Sequence, residues 1–396
     1  MRLMRLEGAS RNAALLCFMT FALSGGAVAG PQLLAPTTMK VKPQSASVTQ
    51  EAADPFTVFT PQDMKAFVAA AAKADALKDP MKRCLDFPDP PGSHWSREGI
   101  TAYCRYIQQP TISLEEFDRL ISGGHARELD QRLASWEADP KMHPAAFRKF
   151  LMENFRFGDA ARQVLIESWK QQSPDSAYAY ALSGWNYENL GWAARGDARG
   201  ADTPQAKMDA MDKLMERARG DFDKAVRLNP RLSAAYAGMI SLGTPIGDHD
   251  YVAQAVKQGL QAKADKFPIV IQLATYTATR WYGTPAARQW LLSQVEQSIA
   301  QEPLLHVVRP LMSAYEAEID HKDPVGGDWT VYRRVFDDVA TTSLLKEAGL
   351  AALRHRQYSV AYVYLSESER SDTSDQEVTD GRAQALSFVD QGAADH

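Results

Sequence analysis

Cys84 and Cys104 are the two cysteines of this 396-residue chain that lie outside an apolar N-terminal run, which contains Cys17. The segment between them begins with Leu85–Trp95, which contains three prolines and a glycine, so it cannot form one continuous helix. The spacing is too wide for a thioredoxin-type dithiol, and His94 alone cannot complete a zinc shell. In an exported chain an isolated pair is more often bridged than free. We therefore predict a structural Cys84–Cys104 disulfide, worth on the order of 3 kcal/mol for this closure length.

The segment Gly247-Asp248-His249-Asp250 combines an imidazole with two carboxylates, which are metal-ligand types. Adjacent residues on a turn rarely converge on one ion, so we interpret this segment as a loop cap. The sequence contains no His-Glu-x-x-His, no Gly-x-Ser-x-Gly and no phosphate-binding glycine loop. We expect no metal, no cofactor and no catalytic residue.

Two segments rich in tryptophan and arginine are candidates for partner binding. The first is a polar insertion that interrupts a helical repeat, and its alternative is a solvated loop. The second is an aromatic turn, and its alternative is a set of core residues packed under a neighbouring hairpin. The six candidate residues are Trp192, Arg195, Arg199, Arg280, Trp281 and Tyr282.

Residues 1–29 have the three parts of a secretory signal peptide. Arginines 2, 5 and 11 precede the apolar run 13–23, and Ala27-Val28-Ala29 supplies an Ala-x-Ala cleavage site. The alternative is an uncleaved anchor, for which the run is too short to span a bilayer comfortably. We expect cleavage after Ala29, a periplasmic or secreted protein, and no membrane insertion of the mature chain.

The composition is that of an ordinary globular protein, with 45% hydrophobic and 23% charged residues. The formal net charge is −5, and loss of three arginines and Glu7 with the signal peptide makes the mature chain more acidic. An acidic chain lacks the electrostatic footprint of a nucleic-acid surface. Nucleic-acid binding is therefore not expected.

Helix signals dominate the sequence after a Pro/Ser/Thr-rich leader at 30–53. Thr60-Pro61 predicts one helix start, and the capping box Ser113-Leu-Glu-Glu116 predicts another. From about residue 144 nearly every segment has helical spacing, and no strand-like alternation stands out. We predict an all-α fold with an N-terminal helical segment at 54–142, holding the clasped loop, and a repeat domain at 143–391.

The helices after residue 143 are also periodic. Ala218, Phe222, Ala225 and Pro230 match the small, aromatic, small and proline positions of a tetratricopeptide repeat, which has a period of about 34 residues. Small residues at fixed places allow paired helices to approach closely, and the aromatic fills the space between hairpins. The same phase is repeated by Gly184, Tyr187, Tyr236, Met239, Gly349, Ala361 and Leu365. We predict a tetratricopeptide-like helical-hairpin solenoid.

Several of these strings together resemble a bacterial family, domain of unknown function family 4034. The resemblance runs from about Asp79 to Gly349 and rests on the Cys/Pro string 83–95, the hairpin end 128–130, the string 191–196 and the stretch 225–239. A further family-like element is 280–283, where the family has Arg-Trp-Gly-Gly, so that Tyr282 departs from the pattern. The resemblance implies a helical, often exported protein and implies no activity.

These features favour a non-enzymatic, exported scaffold that binds a protein partner in the groove of a helical solenoid. The alternative is an immunity or inhibitor protein that neutralises an envelope-targeted toxin, because export and acidity suit both roles. A neighbouring toxin gene would favour the alternative, and an envelope-assembly operon would favour the scaffold. An envelope hydrolase is a third possibility, which would need converging carboxylates that the sequence does not identify.

Overall fold

The computed structural model describes residues 57–391, except 140–141, 156, 197, 199–201, 282, 318, 320–323 and 325–326. The predicted signal peptide and leader lie outside these residues. Within them the fold is all-α, as predicted, with eighteen α-helices and no strand. Ala53–His396 forms one compact unit. None of the helices in the described ranges has both the length and the apolar character needed to cross a membrane.

The N-terminal helices begin at the capping residues that the sequence predicts. Thr60 caps α1 by accepting a hydrogen bond from the Asp63 amide, and the Asp63 carboxylate accepts one from the Thr60 amide in return. Ser113 caps α4 by accepting from the Glu116 amide. The first seven helices are α1 Pro61–Asp75, α2 Pro80–Asp86, α3 Arg97–Gln108, α4 Leu114–Ser122, α5 Ala126–Ala138, α6 Ala146–Asn154 and α7 Ala160–Gln172.

The predicted disulfide is present between Cys84 and Cys104. Both cysteines are helical, with Cys84 on α2 and Cys104 on α3, and both are buried. The proline-rich segment 87–96 connects the two helices. The bridge therefore fastens one helix to the next, whereas the sequence led us to expect a clasp across an irregular loop.

The middle of the chain is a series of helical hairpins. α8, α10, α12 and α14 contact one another in succession, and α9, α11 and α13 each pack against the helix that precedes them. The helices of this series are α8 Ala177–Arg195, α9 Gln205–Leu228, α10 Ser233–Ile246, α11 His249–Gln261, α12 Lys266–Tyr276, α13 Pro285–Ser298 and α14 Val308–Ala317. Short 3₁₀ helices at Thr279–Trp281 and Pro303–Val307 join the last of them.

Phe222 on α9 packs between the neighbouring helices α8 and α10. Its ring fills the space above Gly184 of α8 and Gly238 of α10, where an added Cβ would lie 2.6 Å and 2.2 Å from the ring. Trp185 contacts the same ring edge-on, with centroids 5.9 Å apart. The predicted insertion around 192–204 begins inside a helix, because α8 extends to Arg195, and it ends where α9 begins at Gln205. Trp192 and Arg195 are thus helical residues and not part of a loop.

The chain ends in four helices that pack against its beginning. They are α15 Val331–Val335, α16 Thr342–Arg354, α17 Tyr358–Glu369 and α18 Gln376–Asp390. A hydrophobic core formed by α1 and these helices includes Phe67, Tyr362 and Tyr364. A second core extends from Cys84 to Val339, so it crosses the boundary at 142/143 between the two predicted domains.

Candidate functional site

The two predicted tryptophan/arginine segments meet in space. Trp192 lies on the last turn of α8, and Trp281 ends the 3₁₀ helix Thr279–Trp281. Their ring centroids are 6.1 Å apart at an interplanar angle of 66°, which is an edge-to-face contact. The sequence treated these segments as separate candidates, whereas the structure joins them into one surface. Arg199 and Tyr282 lie outside the described residues.

Two arginines lie against this pair of rings. The Arg195 guanidinium carbon is 5.6 Å from the Trp192 ring centroid. That of Arg280 is 6.0 Å from the Trp281 centroid and 5.0 Å from the Tyr315 centroid. These distances are within the range of cation–π attraction. We call Trp192, Arg195, Arg280, Trp281 and Tyr315 the Trp/Arg cluster.

The Trp/Arg cluster lies at the C-terminal ends of α8, α12 and α14, three of the four helices that contact one another in succession. Thr275 of α12 and Tyr315 of α14 share a hydrogen bond of 2.9 Å between their hydroxyl oxygens, which links two of these ends. Both tryptophans are half-buried, and Arg280 is exposed. Neither sequence alternative, a solvated loop or a fully buried core, describes this arrangement. The rings are packed at one edge and accessible at the other.

Glu188 lies one helical turn before Trp192, beneath the cluster, and its side chain is almost fully buried. The Ser241 hydroxyl of α10 donates to its Oε1 at 2.6 Å. Burial raises the pKa of Glu188 to about 8, although the Ser241 hydroxyl and the Trp192 indole act to lower it. Among the described residues, nothing forms a well-aligned hydrogen bond with the buried Oε2. Sequence analysis did not identify Glu188 as a site residue. The signal that could have found it is that Glu188 is the sole acidic residue within the apolar helix 177–195.

Gly283 sets the turn that presents Trp281. A Cβ at this position would lie 1.9 Å from the Thr277 carbonyl oxygen, so no other residue fits without moving the backbone. The Gly283 amide donates to the Ala278 carbonyl at 3.1 Å, which closes the turn after α12. The backbone of the predicted aromatic turn therefore requires a glycine at position 283.

The segment around His249 serves as a helix cap. Asp248 caps α11 by accepting a hydrogen bond from the Tyr251 amide at 3.1 Å, as the loop-cap interpretation predicts. His249 Nδ1 lies 2.5 Å from the Tyr276 hydroxyl oxygen. Across the described ranges, no group of three or more His, Cys, Asp or Glu side chains is placed to hold a metal ion.

Comparison with known proteins finds one family model. Residues 114–304 match the model of the family described as "Domain of unknown function (DUF4034)", which is the family that the sequence resembles. The matched region contains four residues of the Trp/Arg cluster and ends before Tyr315. The Cys/Pro string 83–95 lies outside it. No curated protein and no solved structure matches the chain.

Proposed function

We propose that this protein is an exported scaffold that uses the Trp/Arg cluster to bind an acidic segment of a partner protein. The observation that carries the proposal is the contact between Trp192 and Trp281, because it joins residues from two distant segments into one surface. Tryptophan, tyrosine and arginine are the residues most enriched among binding hot spots. Half-buried rings are held in place by their own fold and therefore lose little conformational entropy on binding.

The charge distribution supports an acidic partner segment. The chain has a formal net charge of −5, yet the cluster presents Arg195 and Arg280 side by side with aromatic rings. Guanidinium groups bind carboxylates in a fixed, two-pronged geometry, and the rings supply apolar area next to them. Repulsion from the rest of the acidic surface would disfavour acidic segments elsewhere, so it would add to specificity.

The arrangement of the helices supports a solenoid of tetratricopeptide-like hairpins. The succession α8, α10, α12 and α14 and the packing of Phe222 between neighbouring hairpins are what such a repeat requires. Solenoids bind partners along the surface formed by equivalent helices, and the cluster lies at the ends of three of these four. The Cys84–Cys104 disulfide supports export, since such bridges persist in oxidising compartments.

The proposal is tested by co-purification from the envelope of the source cells. Wild-type protein is compared with a Trp192→Ala/Trp281→Ala double variant and with Trp290→Ala, which removes an exposed tryptophan of α13 outside the cluster. We expect a partner that is retained by wild type and Trp290→Ala and is lost by the double variant. Capture of the same proteins by all three would contradict the proposal. A secreted toxin as the specific partner would replace the scaffold role with the immunity role.

A further inference from the structure

Ser96, His306 and Asp338 form a continuous hydrogen-bonded line, although 210 and 32 residues separate them along the chain. Ser96 Oγ lies 2.9 Å from His306 Nε2, and His306 Nδ1 lies 2.7 Å from Asp338 Oδ2. Ser96 caps α3, His306 lies in the 3₁₀ helix Pro303–Val307, and Asp338 follows α15. A hydroxyl, an imidazole and a carboxylate in this order are the parts of a base-activated nucleophile.

Asp338 is held in its ionised form. Burial alone would raise its pKa, but hydrogen bonds from His306, the Val339 amide and Arg309 hold the pKa of this carboxyl below its ordinary value. An ionised carboxylate can only accept hydrogen bonds, so a neutral His306 carries its proton on Nδ1. Its Nε2 then has a free lone pair that faces Ser96, which is the tautomer that a general base requires.

The Ser96 hydroxyl is oriented by its own helix. The Gly99 amide donates to Ser96 Oγ at 2.9 Å, which occupies an acceptor position and leaves the hydroxyl proton to point at His306 Nε2. Gly99 also makes room for the imidazole, because a Cβ there would lie 2.8 Å from His306 Cγ and Cδ2. The glycine thus allows the base to lie directly against the first turn of α3.

The start of α3 supplies donors for a developing negative charge. The Arg97 and Glu98 amides are in the first helical turn, where a helix offers no internal acceptor, and nothing in the described part of the chain accepts from them. They directly follow Ser96 in the chain and belong to the N-terminal end of α3. Amides of this kind, aided by the helix dipole, stabilise the tetrahedral intermediate of acyl transfer.

A cavity of about 240 Å³ opens beside Asp338. Its lining includes Arg309 and Arg334 together with Asp337 and Asp338, so it is polar and carries charges of both signs. Ser96 and His306 are half-buried, and the cavity reaches the hydrogen-bonded line at Asp338.

We propose that Ser96, His306 and Asp338 hydrolyse a small ester. Ser96 is the nucleophile, His306 is the general acid and base, and Asp338 is a positioning residue for the imidazole. This activity goes beyond the proposed scaffold function and does not depend on the Trp/Arg cluster. It also departs from the expectation that the chain has no catalytic residue. No local sequence motif contains the three side chains, because they come from three separate elements.

The reaction balances without a cofactor. Ser96 Oγ bonds to the ester carbon while its proton moves to His306 Nε2, and the Arg97 and Glu98 amides are the donors proposed for the resulting oxyanion. The C–O bond to the alcohol then breaks, and His306 returns the proton to the leaving alkoxide. A water molecule repeats the sequence on the acyl-serine, giving up a proton through His306 and regenerating the Ser96 hydroxyl. The products are one carboxylic acid and one alcohol.

The test is covalent labelling of the full mature chain with a fluorophosphonate probe, followed by peptide mapping. We expect a single phosphonyl adduct on Ser96 of the folded wild-type protein. His306→Gln should lower the labelling rate by about 100-fold or more, since a general base contributes on that scale. Asp338→Asn should lower the maximal labelling rate without changing the probe concentration at half saturation, a separation that loss of packing alone would not give.

Ser113→Ala is the matched control, because Ser113 caps α4 as Ser96 caps α3 but forms no hydrogen bond with a histidine of the described ranges. It should leave labelling of Ser96 unchanged, whereas Ser96→Ala should abolish it. The position of the adduct on the wild-type protein still tests the proposal if Ser96→Ala fails to fold. No adduct on Ser96, under conditions that label a reference serine hydrolase in the same tube, would overturn the proposal. Equal labelling rates for wild type and His306→Gln would also overturn it.

Discussion

At the scale of single residues, Glu188 is where burial and charge conflict most directly. It lies beneath the Trp/Arg cluster, where the Ser241 hydroxyl donates a hydrogen bond to it, and its exposed surface is only 3%. The folded state therefore favours the protonated carboxyl, and the pKa of Glu188 rises to about 8. Between its ordinary value of 4.5 and about 8, the folded chain holds a proton that the unfolded chain has released. Its contribution to stability thus falls as pH rises through this window.

Glu188→Gln should remove this pH dependence because an amide of the same shape stays neutral. We expect the free energy of unfolding of the variant, relative to wild type, to increase with pH by up to about 1.4 kcal/mol per pH unit across the window. Urea unfolding at a series of pH values measures this difference. Glu115→Gln, at an exposed position on α4, is the control for loss of a carboxyl elsewhere. Parallel stability curves for Glu188→Gln and wild type would contradict the assignment.

At the scale of helices and hairpins, local patterns were predictable and distant contacts were not. The capping residues Thr60 and Ser113 and the small/aromatic spacing around Phe222 are short-range signals, so they can be recognised in one sequence. The Trp192–Trp281 contact joins segments almost ninety positions apart. Its geometry depends on how α8, α12 and α14 pack, which residue spacing does not encode. Both tryptophans could be named as candidates, but their meeting could not be foreseen.

Gly238→Ala tests the packing between hairpins. The added Cβ would lie 2.2 Å from the Phe222 ring, so it should overpack the contact and lower the free energy of unfolding by about 1–3 kcal/mol. Gly220→Ala, on α9, is the control because, among the described residues, no atom outside the neighbouring backbone of its own helix lies within 4 Å of its Cβ position. It should stabilise the helix by up to about 1 kcal/mol. Thermal melts of both variants decide the matter, and a neutral Gly238→Ala would mean that this contact is not tight.

Replacing both Cys84 and Cys104 by Ser tests the contribution of the bridge between α2 and α3. We expect the free energy of unfolding to fall by on the order of 3 kcal/mol, because the unfolded chain gains conformational freedom. Helix content by circular dichroism should change little, since each helix keeps its own capping residue, Asp79 or Ser96. Thiol labelling of denatured, unreduced wild-type protein should find no free cysteine. Two labelled thiols would reject the bridge.

At the scale of the whole molecule, the end of the chain is fastened to its beginning by buried arginines. The Arg370 side chain of the C-terminal region donates from Nε to the Cys84 carbonyl at 2.7 Å and from Nη1 to Asp89 at 2.8 Å. It also pairs with the buried Glu367 at 3.2 Å and lies over the Trp95 ring. These contacts join sequence positions nearly 290 apart. Sequence analysis, which divided the chain at 142/143, did not predict this closure.

Arg370→Met should therefore loosen both ends together. Removing one partner of a buried ion pair leaves Glu367 and a carbonyl without their donor, and such changes cost about 3–5 kcal/mol. Arg119→Met, at an exposed position 3.8 Å from Glu116, is the control and should cost no more than about 1 kcal/mol. Hydrogen exchange should show faster opening of both α2 and α17 in Arg370→Met. Faster opening of only one of them would show that the two ends are not coupled.

Site-specific photocrosslinking in living source cells tests the binding role of the Trp/Arg cluster most directly. A photoreactive phenylalanine analogue replaces Trp281 in one strain and Trp290, the exposed tryptophan of α13, in the other. The account predicts a discrete protein adduct from position 281, absent from position 290, that disappears when Arg195 and Arg280 are both changed to Ala. Its crosslinked peptide should be acidic. The same adducts from both positions, or none from position 281, would contradict the claim that this cluster is a protein-binding surface.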